Sequence, residues 1–409
     1  MSIIFGWYNP FINLNSFLHS DYLINIAMIF EGQMVIRENL FLFIIFIIFC
    51  ISAVIQLFYY FYFYLAPARF RQKAGETAIL PVSVIICARN EEDNLRDLLS
   101  SVLEQDYPDY EVIVVNDCSE DNSYDILGDY LEKYPHLKVS NITRDPKFTH
   151  NKKFAQFIGI KAAKNEILLF TDADCKPASN NWIRGMVCHF EVTTDFVLGY
   201  GGYLRKKGIL NRYIRYDCMT IAMQYFGMAI KKLPYMGVGR NLAYRRSFFF
   251  DKKGFGNYSH LVSGDDDLFV NSNALPDNTS VEFRKEAHTR SVPAASCKEF
   301  FKQKTRHLTT VRYYKLIHKI LLFSEPATRV AFYSLLIILM IWLFLWPVTV
   351  AVFTVRLIVQ IIVLVLTQQR LDERGLLPWS LVFDLISPMV NLSIYFSSLR
   401  KNPGKYVWK

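Results

Sequence analysis

Apolar positions fall into distinct regimes along this chain, and each regime predicts a different kind of element. From Leu40 to Ala66 the residues are almost all Leu, Ile, Phe and Tyr, and no charge occurs between Glu38 and Arg69. A helix rising about 1.5 Å per residue crosses a bilayer core in roughly 20 residues, so this run predicts a tilted transmembrane helix. We place it over 39–68. From Val330 to Val355 the chain is again uncharged, and Leu357 to Gln369 continues apolar after Arg356. Pro347 divides that stretch into two helix-length pieces, which predict a hairpin of two crossings. Leu376 to Leu399 is a further candidate but carries Asp384, Pro388 and Asn391. The region 329–399 is therefore expected to hold two or three membrane helices. An ionisable residue at membrane depth marks either a functional position or a packing one.

Between about Leu80 and Lys319 the pattern changes to short apolar runs alternating with helical spacing. Val82–Cys87, Glu111–Val115, Leu137–Ile142 and Ile167–Phe170 read as strands. Glu91–Gln105, with Leu95, Leu98, Leu99 and Val102 on one face and Asn90 as N-cap, reads as a helix, as do Asn122–Tyr134 and Lys153–Ala163. This β-α-β-α-β-α-β order predicts an α/β domain over 80–299 with a mostly parallel, doubly wound, Rossmann-like sheet. Phe300 to Lys319, with Phe301, Lys302, Arg312, Tyr313 and Lys315, reads as an amphipathic interface helix within 300–325. Residues 1–38 mix aromatic and polar positions and are expected to be interfacial, and 400–409 form a basic tail.

Composition sharpens this picture in three ways. The hydrophobic share of 52% and aromatic share of 15% exceed those of an ordinary soluble domain, and the excess lies at the two ends. The first apolar run begins too far from the N-terminus and is too long to be a cleaved signal peptide. Arg69, Arg71 and Lys73 follow its Tyr-rich end, which places the α/β domain on the cytoplasmic side of an inner or plasma membrane by the positive-inside tendency. The net charge of +9 suits an anionic membrane surface and nucleotide phosphates. Basic residues are scattered and no nucleic-acid motif occurs, so no nucleic-acid partner is expected. The seven cysteines show no metal-binding spacing and read as reduced thiols.

Chemistry concentrates at the ends of the predicted strands. Asp172 and Asp174 follow the fourth strand in Thr-Asp-Ala-Asp, Asp117 follows the second, and Ser263-Gly-Asp-Asp-Asp267 comes later. Ligands of open α/β sheets bind outside the carboxyl ends of the strands. Paired carboxylates there can hold a hard divalent cation, which can in turn grip a diphosphate. Any one of these aspartates could equally be a turn or capping residue. The ordered set, followed by Gln303-Lys-Thr-Arg-His307, is less easily coincidental. Gly237-Val-Gly-Arg-Asn241 adds two glycines that allow close approach, with Arg240 and Asn241 as donors or as parts of a tight turn.

Ile85-Ile-Cys-Ala-Arg-Asn-Glu91, Val114-Val-Asn-Asp117, Asp172-Ala-Asp174, Gly264-Asp-Asp266 and Gln303 to Arg306 together resemble the family 2 glycosyltransferases of GT-A fold. The membrane-integrated synthases related to cellulose, chitin and hyaluronan synthases are the nearest type. The resemblance implies an inverting, metal-dependent transfer from a nucleotide sugar, expected to be a UDP-sugar, to a polysaccharide or lipid-linked acceptor. It implies that Ala88, Arg89, Asn90, Glu91 and Asp117 hold the nucleotide, with Lys152 or Lys153 near its phosphates and Lys153 preferred. Asp174 would be the main ligand of Mg²⁺ or Mn²⁺, with Asp172 supporting metal or donor. Asp266, or Asp265 one register earlier, would be the catalytic base. Gln303, Arg306, His307 and Arg240 would face the diphosphate or acceptor. His307 stands where the family pattern carries Trp, which takes away a flat stacking surface and leaves processive polymerisation open. Transfer to a polyprenyl phosphate is the alternative within this class. A nucleotidyltransferase would need a glycine-rich phosphate loop after the first strand, and a non-catalytic membrane scaffold would not need acids at all these loop ends.

Overall fold

A computed structural model describes residues 39–71, 79–145 and 150–399. The expected interfacial segment 1–38, Lys73 and the basic tail 400–409 lie outside the described residues. The first helix, α1, spans Asn39–Arg69, with a π-helical stretch at Tyr59–Tyr64. The α/β domain follows as β1 (Val82–Ala88), α2 (Glu92–Leu103), β2 (Tyr110–Asp117), α3 (Ser123–Lys133), β3 (Leu137–Ile142), α4 (Lys152–Ala162) and β4 (Ile167–Asp172). It continues with β5 (Cys175–Pro177), α5 (Trp182–Val187), β6 (Phe196–Gly199), β7 (Gly201–Tyr203), the long α6 (Ile209–Ile230), β8 (Leu242–Arg245) and α7 (Arg246–Asp251). Then come α8 (Asp267–Asn273), β9 (Thr279–Glu282), β10 (Thr289–Ser291) and α9 (Cys297–Leu308). Three apolar helices close the described chain: α10 (Leu316–Ile341), α11 (Trp346–Arg370) and α12 (Leu377–Leu399).

The main sheet has the order β3-β2-β1-β4-β8-β6-β9, with β5-β10-β7 as a small second sheet. The first four strands are parallel, β8 runs antiparallel between β4 and β6, and β6 pairs β9 in parallel. Every residue of β1 is buried, as a strand covered on both faces requires. Gly159 lets α4 lie close on the sheet, because a Cβ there would come within 2.7 Å of the Ile85 side chain.

Asn90 does not cap α2. The helix begins after Glu91, and Asn90 takes a left-handed φ of 53°. Its backbone N–H donates to Ser119 Oγ at 3.0 Å, and its side-chain oxygen accepts from Glu120 N–H at 2.8 Å. The loop after β1 is thereby tied to the loop after β2. Asx side chains that satisfy a neighbouring loop cannot also satisfy a helix start, which is why the sequence pattern misassigned it.

Four helices, α1, α10, α11 and α12, are long and apolar enough to cross a membrane. Leu42, Ile45 and Phe49 of α1 pack against Phe332 and Leu339 of α10 at the end remote from the α/β domain. Nearer the domain, Asp384 of α12 accepts from Arg329 (2.9 Å), Arg356 (3.0 Å) and Tyr333 (2.7 Å). Arg329 also bonds Glu325 at 2.9 Å, so two cations and two acids neutralise one another. The turn between α11 and α12 plugs into the α/β domain through Glu373, which is fully buried. Its carboxylate accepts from Arg215 Nε (2.8 Å), Tyr200 Oη (2.9 Å) and Arg290.

Candidate active site

Three strand ends build the floor of the site. Ala88 at the end of β1 is level with Asn116 of β2, and Cys87 is level with Asp172 of β4. Sheet register alone therefore sets Asp117 and Asp172 on either side of the loop Ala88 to Glu91. Asp117 is fully buried. One of its oxygens lies 3.1 Å from His150 Nδ1, and the other has no partner among the described residues. His150 Nε2 lies 3.0 Å from the Asp145 N–H and 3.1 Å from the Asp145 carbonyl oxygen, which fixes the ring beside Asp117. Arg89 Nε is likewise buried without a partner.

Around Asp172 the charges converge. Lys152, the first residue of α4, donates to Asp172 at 2.7 Å and lies 3.3 Å from Asp265. Desolvation works against its charge, but Asp172, Asp265 and Asp266 together hold Lys152 well above the usual lysine range. Asp174 accepts from Ser291 Oγ at 2.8 Å. Burial, and after it the neighbouring Asp172 carboxylate, raises Asp174 above the ordinary range.

The three consecutive aspartates part company. Burial raises Asp265, but Lys152, a backbone hydrogen bond, Lys153 and Arg306 together outweigh it and hold the group below its usual value. Asp266 accepts from the backbone N–H groups of Gly239 (2.6 Å) and Asp267 (2.7 Å). Burial first, then Asp265 and Asp267, push Asp266 up to about 7. Asp267 turns away and accepts from Thr310 and from Tyr314 Oη at 2.7 Å, fastening α8 to the 3₁₀ turn Val311–Tyr313.

Several expected residues are placed differently from one another. Lys152, not the preferred Lys153, reaches the acids. Lys153 is buried and donates to the carbonyls of Tyr258 (2.6 Å) and Leu261 (2.8 Å), pinning the loop before the aspartates. Asn241 is also buried: it accepts from Trp182 Nε1 at 2.9 Å and donates to the carbonyls of Tyr200 and Ala287. It is a packing residue. Arg240 stays at the site, its guanidinium 4.3 Å from the Tyr203 ring centre and one nitrogen buried without a partner. Gln303 and Arg306 lie on α9, and the Arg306 charge is felt at Asp265. His307 keeps exposed surface. Lys304, between them, pairs with Asp217 of α6 and anchors α9. Sequence reasoning did not find His150, Ser291 or Asp217, none of which lies in a motif; their roles come from partners far along the chain.

The donor chemistry at Asp172 and Asp174 fits a hard divalent cation. Both carboxylates and the Cys175 thiol have ligand atoms within 4.8 Å of one another. Asp174 is penalised by its like-charged neighbour, a penalty that a cation between them would remove. Oxygen ligands suit Mg²⁺ or Mn²⁺, whereas the thiol does not. A second group of ligand atoms, Cys188, His189 and Glu282, has Arg284 inserted among it at 3.0 Å from the sulfur, which opposes a metal there.

A mostly parallel α/β sheet with acids at its strand ends defines a GT-A type domain, flanked by helices long and apolar enough to cross a membrane. Residues 83–250 match the profile of Glycosyl transferase family 2. Glycosyltransferase AglE of Haloferax volcanii is 32% identical over 193 residues, which are 46% of this chain and 60% of that protein. The matched stretch thus falls short of two thirds of that relative's length. The probable glycosyltransferase YdaM of Bacillus subtilis is 26% identical over 336 residues, 78% of this chain and 76% of that one. Among solved structures, mannosyltransferase PcManGT of Pyrobaculum calidifontis, in complex with GDP-Man and Mn²⁺, shares the fold at a TM-score of 0.52. It is 16% identical, and the match covers 84% of this chain and 99% of that one.

Proposed function

We propose that this protein is a membrane-anchored, metal-dependent inverting glycosyltransferase. In this reading it takes a nucleotide sugar, with a UDP-sugar expected, and glycosylates a polysaccharide or lipid-linked acceptor at the cytoplasmic face of the membrane. The observation that carries the reading is Asp266: a half-buried carboxyl, held by the Gly239 N–H and pushed up to about 7 by desolvation and by Asp265, beside the acids Lys152 gathers, in a domain that matches family 2. A general base works best when its pKa lies near the operating pH. Asp266 takes the proton of the acceptor hydroxyl as that oxygen attacks the anomeric carbon. Attack from the face opposite the leaving nucleotide inverts that carbon.

The other side chains fit binding and charge neutralisation. Asp174 and Asp172 would hold the divalent ion, which supplies charge neutralisation at the diphosphate. Lys152, Arg240 and Arg306 meet developing negative charge from the protein side. The unpartnered Asp117 oxygen is an acceptor suited to an imide N–H, which uracil carries and adenine and cytosine lack; guanine offers a comparable N–H. That favours uracil and guanine donors over adenine and cytosine ones; a UDP-sugar is the expected donor, and GDP-Man, bound in PcManGT, is the competing one. Arg69 and Arg71 at the domain end of α1 support the cytoplasmic orientation.

The test incubates membranes containing the full chain with UDP- and GDP-sugars and Mg²⁺ or Mn²⁺, and reads nucleotide release. Release is expected to require the ion and to fall about a hundred- to ten-thousand-fold in Asp266→Asn. Unchanged release in the variant would move the base to Asp265, and no release with any donor would overturn the reading.

A further inference from the structure

Although α12 is as long and apolar as a membrane-crossing helix, its partners change along its length. In its first half Phe383 packs on Tyr213 and Tyr216 of α6, with ring centres 5.1 and 5.5 Å apart, and Asp384 joins the arginines of α10 and α11. Beyond Pro388 the neighbours belong to the α/β domain. Ile394 is fully buried with Ile214 of α6 and Phe300 of α9, and Val390 packs onto the same cluster.

The apolar cluster at the far end of the helical bundle is built without α12, which touches its edge through the Tyr333–Asp384 bond. Leu42, Ile45, Phe49, Phe332 and Leu339 form that cluster, with Val352 and Phe353 of α11 against it, and it includes no α12 residue. A fourth crossing that turned at Glu373 and ran back beside α11 would carry residues 390–399 toward that cluster. They lie beside α9 instead. That helix carries Lys298, Glu299, Lys302, Lys304 and Arg306, charges that are costly at hydrocarbon depth.

The outer face of α12 needs an apolar cover. Val382, Leu385, Ile386, Met389, Leu392, Phe396 and Leu399 are exposed by 43–60% and follow three- and four-residue spacing along the whole helix. Water on one continuous stripe of that length is unfavourable, and the bilayer that α1, α10 and α11 enter lies alongside.

We propose that α12 does not cross the bilayer. It lies along the interface on the side of the α/β domain, its outer stripe in the boundary between headgroups and acyl chains and its inner face on α6 and α9. Among the described residues this leaves α1, α10 and α11 as crossings, and Leu399 ends on the catalytic side. The basic sequence after Leu399 agrees with the positive-inside tendency for such an end. The packing of α9, which carries Gln303 and Arg306, then becomes sensitive to the membrane surface. The inference does not depend on the reaction.

Sidedness and depth test it separately from activity. Leu399→Cys and Leu343→Cys, the latter in the exposed turn between α10 and α11, would be labelled with an impermeant maleimide in intact and in inverted vesicles. The native exposed thiol Cys297, at the start of α9, reports the catalytic face. The position-399 thiol is expected to label together with Cys297 and opposite to the position-343 thiol; labelling with the latter would overturn the proposal. Fluorophores on Leu385→Cys, Leu392→Cys and Phe396→Cys are expected to be quenched equally by shallow brominated lipids. A crossing helix would instead deepen by about 10 Å over seven residues, and a helix in water would not be quenched; either result rules the interfacial placement out. Detergent size-exclusion profiles confirm that each variant is folded before it is scored.

Discussion

Asp265, Asp266 and Asp267 have the same side chain and three different environments, and tertiary neighbours alone separate them. Lys152 holds Asp265 ionised, Gly239 N–H and burial set Asp266 apart, and Thr310 with Tyr314 occupy Asp267. A carboxyl raised to about 7 is protonated below that pH and is then unable to accept a proton. Nucleotide release at limiting donor should therefore rise about tenfold per pH unit on the acid side and level off above neutrality. Because the raised value favours the protonated folded form, the same group makes folding less favourable as pH rises from about 4 to 7. Activity and stability should move in opposite directions over that window. A pH profile of release set beside melting temperatures in the same buffers checks both, and the opposition should vanish in Asp266→Asn.

At the scale of elements, adjacent residues on one helix do unlike work. Lys152 and Lys153 both begin α4, and successive helical positions point about 100° apart, so one enters the acid cluster and the other passes under the 258–261 loop. Lys153→Met keeps the stem but removes two bonds from a charged donor to buried carbonyls. A loss of about 2–3 kcal/mol of stability is expected, since such bonds contribute roughly 1.5–3 kcal/mol each and the released burial of charge offsets part. Lys152→Met leaves Asp172 and Asp265 without their counter-charge, so it should lower the melting temperature too, and it should in addition abolish most nucleotide release well below that temperature, where Lys153→Met should retain it. Thermal denaturation in detergent, together with release assays well below the melting point, distinguishes the two; equal losses in both readouts would contradict these assignments.

For the molecule as a whole, the joint between domain and membrane region depends on Glu373. Its carboxylate satisfies Arg215, Arg290 and Tyr200 at once and is fully buried. Removing one partner from such a group costs about 3–5 kcal/mol, because the remaining charges stay buried without compensation. Glu373→Ala should therefore lower the melting temperature and open the junction to proteolysis, whereas Glu373→Gln should retain the Tyr200 bond and lose less. Limited digestion at the 371–376 turn gives the readout.

Much of this protein was legible from its sequence. Short apolar runs and period-3.6 spacing placed β1 to β4 and their helices within a residue or two, because a strand covered on both faces must be a continuous apolar run. The acids at the ends of β2 and β4 were legible because sheet register leaves their positions little freedom. The Asn90 cap, the choice between Lys152 and Lys153, and the packing role of Asn241 were not, since each depends on a partner distant in sequence.

The chain by itself determined which stretches are apolar enough to enter a membrane, the succession of the first four strands and which acids stand at their ends. These follow from local periodicity and composition, which neighbours in space do not alter. Tertiary structure alone decided which of three aspartates is crowded up to about 7, which lysine meets the acids and what the inner face of α12 packs on. Those outcomes depend on burial and on charges brought together by folding, and neither quantity exists until the chain has folded.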